Sequence, residues 1–430
     1  MKTARIILVN VCRAVLALTF ILSGYVKAID PLGTQYKIND YLGALNLQGA
    51  VSDWITLAAA VGLSAIEFVL GVMLFVAVSK RIAAKATVIF MTVMTLITLW
   101  LFVAEPISDC GCFGDALHLT NGESFAKNIL LLACSLLTLW KPKDMVQFLS
   151  SGNSTIVLNY SIIFIVATSV YSLYLLPQFD FRPYKIGANI KEGMTIPEDA
   201  QLPQYETTFM MKKDGVTKEF TLDNYPDSTW EFVDSKTKKI KEGYVPPIHD
   251  FSIQTLEGED ITDSVITRKG YTFLVIAPQL EKADDSNFGR IDQIYEYADD
   301  HAYPFYCLTS STKKAIDRWQ DITGAEYEFC HTDATTLKTI IRSNPGLLLL
   351  KDGTIIQKWS HNALPAEEEL NAPLEKLSIG TQKATNKMMK IAEILLLFIL
   401  PIFILSIADR MWAWTKWIKK KKRLTSILTN

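Results

Sequence analysis

Cysteine is scarce in this 430-residue sequence, which contains six cysteines spread between Cys12 and Cys330. So few cysteines at such wide spacing exclude a disulfide-stapled scaffold, and any function they have must be local. The sequence also lacks a glycine-rich phosphate-binding loop, a hydrolytic triad and a metal-binding cluster of recognisable spacing. The net charge of −2 gives no sign of nucleic-acid binding. Membrane, binding and local thiol functions are the classes left to consider.

Apolar residues make up 49% of the chain, and they are concentrated in residues 6–177 and 388–418 with a polar block between them. A helix needs about 20 apolar residues to cross a bilayer. The segments that reach or approach this length are residues 6–29, 54–79, 82–104, 125–140, 155–176 and 388–411. The first segment is long and lacks a small-residue cleavage site after it, so we expect it to stay as an anchor. The pattern predicts a polytopic α-helical membrane protein that contacts the lipid bilayer and carries a soluble domain.

Basic residues mark every second connection between the apolar segments. The groups are Lys2 and Arg5, then Lys80, Arg81 and Lys85, then Lys141 and Lys143, and finally residues 419–423. Because cytoplasmic loops are enriched in lysine and arginine, six crossings would place both termini in the cytoplasm. We therefore predict a multi-pass protein of the bacterial inner membrane. The loop around residue 110 and the polar block 178–385 would then both lie in the periplasm.

Two cysteines, Cys110 and Cys112, stand one residue apart where an apolar segment leaves the membrane. A dithiol at this boundary can meet both water-soluble proteins and lipid-soluble electron carriers. A Cys110–Cys112 disulfide needs a tight backbone, which Gly111 tolerates, and bridges of this kind tend to be readily exchanged. His118 is the candidate base beside the thiols, because imidazole is the side chain suited to proton transfer near neutral pH, with a plain surface histidine as the alternative. Cys110, Cys112 and His118 are thus the candidate catalytic residues.

Two charged residues lie inside the first two apolar segments, Arg13 in the first and Glu67 in the second. Their depths differ by about 8 Å at 1.5 Å per residue, so their side chains can meet. A structural ion pair and a proton-handling role both remain open. Cys12 and Cys134 also lie at similar depths, and we favour apolar packing over a second functional dithiol.

Several motifs of the first half resemble one known family. They are Ser23-Gly24-Tyr25-Val26-Lys27, Glu67, and the string from Asp109 to Asp115 that is followed by Phe125, Lys127 and Asn128. Through them residues 5–145 resemble the DoxX-like superfamily, and more closely the family of the methylamine-utilisation protein MauE. The resemblance implies a four-helix membrane domain over residues 1–145. MauE proteins are implicated in maturing a periplasmic enzyme with many disulfides, so the resemblance also implies envelope thiol chemistry; nothing else points to methylamine.

The rest of the chain alternates membrane and soluble segments. A fifth transmembrane helix is predicted at 155–177, and a small β-rich segment at 178–247 follows it. Within that segment, strands are predicted at 206–211, 216–222 and 230–233, with a hairpin turn at Asp214-Gly215. From residue 248 strands alternate with helices, which indicates an open α/β sheet. The chain ends with a transmembrane helix at 388–412 and a basic cytoplasmic tail at 413–430.

Residues 248–375 resemble a thioredoxin-like domain in the order of their elements, and Pro345 stands where that fold usually carries a cis-proline. The Cys-x-x-Cys of an active member is missing, because Ala277-Pro278-Gln279-Leu280-Glu281 stands at that point. The resemblance therefore implies a non-catalytic domain that binds a partner. Cys307 and Cys330 lie on neighbouring predicted strands, where core packing is favoured over a disulfide.

Three hypotheses for function compete. In the leading one, Cys110 and Cys112 form the redox pair of an envelope thiol-disulfide oxidoreductase that acts on periplasmic protein thiols or disulfides. In the second, the chain is a structural or assembly factor and the loop disulfide only stabilises it. In the third, the Arg13 and Glu67 pair serves a small-molecule carrier. No cofactor is evident in the sequence, and a quinone is an option that the residues do not establish.

Overall fold

The computed structural model describes residues 2–47, 49–107, 109–147, 150–213, 215–227, 229–241, 243–382 and 386–428. The chain divides into two compact units, one of Met1–Arg182 with Lys383–Asn430 and one of Pro183–Gln382. The helices are α1 (Lys2–Ile29), α2 (Pro31–Ala44), α3 (Asp53–Val76), α4 (Lys80–Ala104), α5 (Asn121–Trp140), α6 (Ser151–Tyr174), α7 (Ile190–Met194), α8 (Thr262–Ile266), α9 (Phe288–Asp300), α10 (Lys313–Thr323), α11 (Ala334–Ile340) and α12 (Lys387–Leu428). The strands are β1 (Gln204–Lys213), β2 (Val216–Thr221), β3 (Glu231–Lys241), β4 (Gln254–Thr255), β5 (Tyr271–Ala277), β6 (Phe305–Thr309), β7 (Glu328–His331), β8 (Gly346–Lys351) and β9 (Thr354–Ser360).

Six helices within the described residues are long and apolar enough to cross a membrane, namely α1, α3, α4, α5, α6 and α12. Large apolar side chains cover their outer surfaces; Leu18, Leu96 and Leu130 are each 61% exposed. Such surfaces are unfavourable in water and suit lipid, so these helices contact the bilayer. Residues 413–428, which were predicted as a tail, continue α12, while residues 429 and 430 lie outside the described part.

The first and third helices approach each other closely through glycines. A Cβ atom added at Gly24 would lie 2.5 Å from the backbone nitrogen of Phe68, and one added at Gly71 would lie 2.7 Å from that of Ile21. Small residues at a helix crossing allow this approach, and dispersion contacts then hold the pair in lipid. The Gly24–Phe68 contact fixes the register of α1 against α3 and thereby decides which charged residues meet.

The helix α2 is a short, mostly polar element that the apolar pattern does not predict. It begins after Asp30, whose side chain accepts a hydrogen bond from the backbone nitrogen of Gly33 at 2.9 Å, and Pro31 occupies its first turn. Proline suits this position because its missing N–H would have no helical partner there. Gln35 ties α2 to α3 by donating to the backbone oxygen of Asp53 at 2.7 Å.

The loop that carries Cys110 and Cys112 runs from the end of α4 to the start of α5. A capping box closes the α5 end, where the Thr120 hydroxyl accepts from the Glu123 backbone nitrogen at 3.2 Å and the Glu123 carboxylate accepts from the Thr120 backbone nitrogen at 2.9 Å. Two otherwise unpaired N–H groups are satisfied in this way. The rigid start of α5 positions its first two turns beside the cysteines.

The second unit begins with a three-stranded antiparallel sheet of order β2-β1-β3. β1 and β2 form a hairpin in which Lys213 pairs with Val216. Gly215 takes the left-handed conformation expected of a tight turn, with φ of +80°. Asp214, the other predicted turn residue, lies outside the described residues. β3 is longer than the predicted strand at 230–233.

A six-stranded mixed sheet of order β4-β7-β6-β5-β8-β9 forms the core of the second unit. β5, β6 and β7 are parallel, whereas β8 and β9 are antiparallel to their neighbours. Every residue of the central strand β5 is buried, as expected of a strand covered on both faces. The peptide bond between Asn344 and Pro345, just before β8, is cis.

Cys307 and Cys330 do not form a disulfide; both are free and buried. In the register of β6 and β7, Cys307 stands opposite Phe329, and Cys330 stands opposite Leu308. Successive side chains of a strand point to opposite faces of the sheet. The two thiols therefore lie on opposite faces, which excludes the pairing that the sequence left as the less favoured option.

Candidate functional site

Cys110 and Cys112 form a disulfide whose Cα atoms are 5.4 Å apart. Both residues are buried, with 7% and 8% of their surface exposed. Gly111 between them has a φ of +61°, and a Cβ atom there would lie 2.7 Å from Cγ of Lys37. Position 111 requires glycine for two reasons: its backbone is left-handed, and the aliphatic part of Lys37 packs where a Cβ atom would lie.

The helix α2 holds this loop from one side. Tyr41 donates to the carbonyl oxygen of Cys110 at 2.9 Å, and Lys37 pairs with Asp109 at 2.9 Å. Asp109 in turn accepts from the backbone nitrogen of Gly111 at 3.1 Å. Burial, followed by the charges of Asp109 and a second nearby aspartate, raises the pKa of Tyr41 above its ordinary value. The phenol therefore stays protonated and able to donate.

A buried polar cluster holds the loop from the other side. The ammonium of Lys27 lies 2.8 and 3.0 Å from the two oxygens of Glu67 and 2.7 Å from the carbonyl oxygen of Cys112. The hydroxyl oxygen of Ser23 lies 2.7 Å from both Glu67 Oε2 and the same carbonyl oxygen. Ser23, Lys27 and Glu67 are all buried. Burying a charged pair in the bundle requires such complete partnering, because an unpaired charge there is costly.

Arg13 is not the partner of Glu67 that the helix depths suggest. Arg13 donates to the backbone oxygen of Val146, and Lys27 pairs with Glu67 instead. The reason is the register of α1 against α3. Gly24 contacts Phe68, the residue next to Glu67, whereas Arg13 lies eleven residues earlier in α1, about 16 Å away along the helix axis. Arg13 and Glu67 therefore do not form the pair on which the small-molecule carrier hypothesis depends.

His118 is exposed, and among the described residues it donates no hydrogen bond to either cysteine. Two polar atoms lie beside Sγ of Cys110: the hydroxyl oxygen of Ser124 at 3.2 Å and the backbone nitrogen of Cys112 at 3.3 Å. Because Ser124 is in the first turns of α5, a thiolate at Cys110 would face a hydroxyl donor and the positive end of a helix.

Two cavities flank the disulfide loop within the first unit. The first, here called the loop cavity, has a volume of about 70 Å³. It touches Gly111 and is lined mainly by charged and aromatic residues, which are Asp30, Lys37, Asp109, Asp115, Phe179, Phe181 and Arg182. The second, the bundle cavity, has a volume of about 30 Å³ and touches Cys112. Its lining comes from α1, α3, α4, α5 and the loop: Thr19, Phe20, Ser23, Glu67, Phe90, Met91, Met94, Cys112, Phe113, Lys127, Asn128 and Leu131.

The other cysteines lie away from this site. Cys12 on α1 and Cys134 on α5 share one apolar cluster, and both are free. In the second unit, Gln279 follows β5, and its backbone oxygen accepts from the side chain of Asn344 at 2.8 Å. The hydroxyl oxygen of Ser343, the residue before Asn344, lies 2.9 Å from Nδ1 of His361. The end of β5 is thus surrounded by amide, hydroxyl and imidazole groups, and the sequence places no cysteine there.

Several residues that contact the disulfide loop were not identified as candidate site residues from the sequence. Lys27 and Lys127 entered only through the family motifs, and Lys37 and Tyr41 did not enter at all. A signal existed for Ser23 and Lys27, because residues four apart share a helix face. For Lys37 and Tyr41 the sequence carried no signal, since their position depends on how α2 folds over the loop.

Comparison with known proteins gives two matches to family models. Residues 5–141 match the model described as methylamine utilisation protein MauE. Residues 205–242, which contain most of the three-stranded sheet, match the model of a domain of unknown function, DUF8463. Among curated proteins there is no match.

One solved structure is similar to part of the chain. It is a solution structure from Bacteroides thetaiotaomicron described as a candidate protein disulfide isomerase, with 17% identity over 28% of this chain and 78% of that one. The TM-score is 0.22, which does not establish a shared fold. The resemblance that the motifs indicate is confirmed where the family model matches: the membrane helices of residues 5–141 are MauE-like.

Proposed function

We propose that this chain is a thiol-disulfide exchange protein of the bacterial inner membrane, with Cys110 and Cys112 as its redox pair. The observation that carries the proposal is the placement of their disulfide between a polar cavity on one side and a cavity inside the helix bundle on the other. A partner thiolate attacks one sulfur and forms a mixed disulfide, and the partner's second thiol releases it. The partner leaves as a disulfide, and Cys110 and Cys112 become thiols.

The contacts around the loop favour exchange over a purely structural disulfide. The carbonyl oxygens of both cysteines accept hydrogen bonds, from Tyr41 on α2 and from Lys27 on α1. These bonds do not involve the sulfurs, so they persist when the disulfide is reduced. A loop that is held in this way can change its oxidation state without losing its position, which is what a reusable redox pair requires.

The second unit serves in this proposal as the module that binds the partner protein. Its mixed sheet and its lack of cysteine at the end of β5 support a thioredoxin-like domain that recognises a partner without exchanging disulfides with it. The distribution of lysine and arginine supports placing this unit and the cysteine loop together in the periplasm, with both termini cytoplasmic.

The direct experiment replaces each cysteine of the pair separately, as Cys110→Ser and Cys112→Ser, and traps mixed disulfides in intact cells by acid quenching and alkylation. We expect a covalent partner in at least one of the two variants, because the remaining cysteine thiolate attacks the disulfide of an oxidised partner and the second cysteine, which would release that partner, is missing. Cys134→Ser is the matched control, since its thiol is buried in an apolar cluster away from the loop. If neither variant traps a partner and both only unfold more readily, the disulfide is structural and the assembly-factor hypothesis replaces this one.

The sidedness needs its own measurement. A membrane-impermeant maleimide, added to intact cells after mild reduction, should label Cys110 or Cys112. A single cysteine placed at the exposed position Leu202 should be labelled from the same side. Labelling of the two sites from opposite sides would exclude a partner-binding role for the second unit.

A further inference from the structure

A pocket with a basic lining, here called the basic pocket, lies within the first unit where the start of α4 meets the turn after α5. Its volume is about 470 Å³, which falls in the range of about 300–1,000 Å³ that is usual for small-molecule sites. The residues that line it are Ser79, Lys80, Arg81, Ile82, Pro142 and Lys143. The 25 residues of α4 separate it from the cysteine loop by about 38 Å at 1.5 Å per residue. The basic pocket is therefore distinct from the proposed redox site.

The basic pocket carries three positive charges, on Lys80, Arg81 and Lys143. Within the described part of the chain, its lining contains no acidic residue. The carboxylate that follows Lys143 in the chain, that of Asp144, pairs with Arg5 at 2.7 Å. Like charges that share one pocket repel one another, and a bound anion offsets this repulsion. The charge of the pocket thus favours an anionic ligand.

Two of the three cations are held in place by the backbone around them. The ammonium of Lys80 donates to the backbone oxygen of Met145 at 2.7 Å, and this bond uses one of its three N–H donors. Lys143 lies in a short 3₁₀ turn, Pro142–Asp144, that begins with a proline. A site whose parts are positioned in advance loses less entropy when its ligand binds.

An apolar stripe on the outside of α4 begins at the basic pocket. Ile82, which belongs to the lining, is 66% exposed, and Ile89 and Leu96 are 66% and 61% exposed. Residues seven apart lie on the same side of a helix, so the stripe follows α4 away from the pocket along its membrane-spanning length. A molecule that fits both features has an anionic head and an apolar tail.

We propose that the basic pocket binds the phosphate headgroup of an anionic phospholipid, with an acyl chain along Ile82 and Ile89. Basic pockets at the ends of membrane helices suit such headgroups, and the guanidinium of Arg81 matches phosphate oxygens in geometry. The pocket is open, so the chains of the lipid can remain in the bilayer. A free phosphate ion would meet the same cations, but it would gain nothing from the apolar stripe. This inference is independent of the proposed thiol exchange.

The test uses the full-length protein, stripped of lipid in a neutral detergent, and counts bound lipids by native mass spectrometry. Phosphatidylglycerol is the anionic lipid, and phosphatidylcholine, which has a phosphate but no net charge, is the control lipid. We expect one bound phosphatidylglycerol that an equal amount of phosphatidylcholine does not displace. A large excess of inorganic phosphate, or of glycerophosphoglycerol, which is the same headgroup without its chains, should also fail to displace it.

Two substitutions connect the binding to the pocket. Arg81→Gln and Lys143→Gln should each weaken phosphatidylglycerol binding by about fivefold. Both side chains are exposed, so the variants should fold, and an unchanged thermal midpoint checks this. Lys141→Gln is the matched control, because it removes the same charge from the same connection. The ammonium of Lys141 lies 4.9 Å from the centre of the Trp140 ring, and Lys141 is outside the lining.

The outcomes separate a lipid site from other kinds of binding. Weaker binding in Arg81→Gln and Lys143→Gln, with natural binding in Lys141→Gln, supports the site. Equal weakening in all three variants would indicate general attraction between a basic surface and anionic lipid, and would overturn the pocket as a site. Displacement by inorganic phosphate or by glycerophosphoglycerol would indicate a site for free anions, and this result or the absence of bound phosphatidylglycerol would overturn the proposal.

Discussion

Lys27 joins the membrane helices to the disulfide loop, because its ammonium lies 2.7 Å from the carbonyl oxygen of Cys112 while it pairs with Glu67. The contact makes the loop's position depend on a charge that is buried in the bundle. The Lys27–Glu67 ion pair therefore does more than join two helices, since the same ammonium holds the backbone of Cys112 in place.

Removing the ammonium of Lys27 should strongly destabilise the bundle. In Lys27→Met, Glu67 stays buried without its cation, and we expect the free energy of unfolding to fall by about 3 kcal/mol in a detergent–SDS titration. Lys37→Met is the control, because its ion pair with Asp109 is partly exposed and should contribute less than about 1 kcal/mol. The double variant Lys27→Met with Glu67→Gln should recover part of the loss. Equal effects at Lys27 and Lys37 would contradict a buried pair.

A substitution that separates α1 from α3 should also disrupt the buried cluster of Ser23, Lys27 and Glu67, although it replaces none of these residues. A Cβ atom in Gly24→Ala would meet the backbone of Phe68 at 2.5 Å, so the helices must move apart. We expect a loss of about 2 kcal/mol in unfolding free energy from this overpacking. Gly62→Ala on α3 is the matched control, since no atom lies within 4 Å of the added Cβ. A variant of Gly24 that is as stable as that of Gly62 would show that the close crossing is absent.

Two glycines of the loop allow two contributions to the unfolding free energy to be separated. One is the strain of a side chain on a left-handed backbone, and the other is the steric contact of an added Cβ atom. Gly111 and Gly114 both have positive φ, but an added Cβ would meet Lys37 at 2.7 Å in the first case and only Val26 at 3.6 Å in the second. Gly114→Ala should lose about 1 kcal/mol from the left-handed backbone alone, and Gly111→Ala should lose more. The measurement is the unfolding free energy together with the fraction of Cys110 and Cys112 that resists alkylation before reduction. Equal losses would indicate that Lys37 moves away freely.

The second unit should show an acid-dependent helix end at Asp333. Its carboxylate accepts from the backbone nitrogens of Thr335 and Thr336 at 2.8 and 3.0 Å. These bonds, with that from Thr336 the strongest, lower the pKa of Asp333 below its ordinary value. A carboxyl with a lowered folded pKa contributes its full stability above the unfolded value of about 3.9 and loses it as the pH falls through the folded value.

We therefore expect Asp333→Ala to reduce hydrogen-exchange protection of the α11 amides by about 1 kcal/mol at neutral pH. The difference from the natural protein should shrink when the pH is brought below the ordinary pKa of aspartate. Asp333→Asn keeps an accepting oxygen that does not titrate, and it should show no such change with pH. A difference that is the same at all pH values would mean that the charge of the carboxylate contributes nothing.

Much of the architecture was predictable because its signals are local. An apolar run of about 20 residues is sufficient to indicate a membrane helix, and the predicted segments coincide with α1, α3, α4, α5, α6 and α12. The alternation of strands and helices after residue 248 likewise indicated the mixed sheet that the structure contains. α2 was not predictable in this way, because its residues are mostly polar and its stability comes from contacts with α3 and the loop.

The sequence by itself determined that two cysteines stand one glycine apart at the edge of a MauE-like membrane domain, since residue order and apolar content require no knowledge of packing. Only the tertiary structure decided that Glu67 pairs with Lys27 rather than Arg13. It also placed Lys37 and Tyr41 over the loop and left His118 exposed. The physical reason is that the close approach at Gly24 and Phe68 sets the register of two helices. A shift of one helical turn moves a side chain by about 5 Å, which is more than the length of a hydrogen bond.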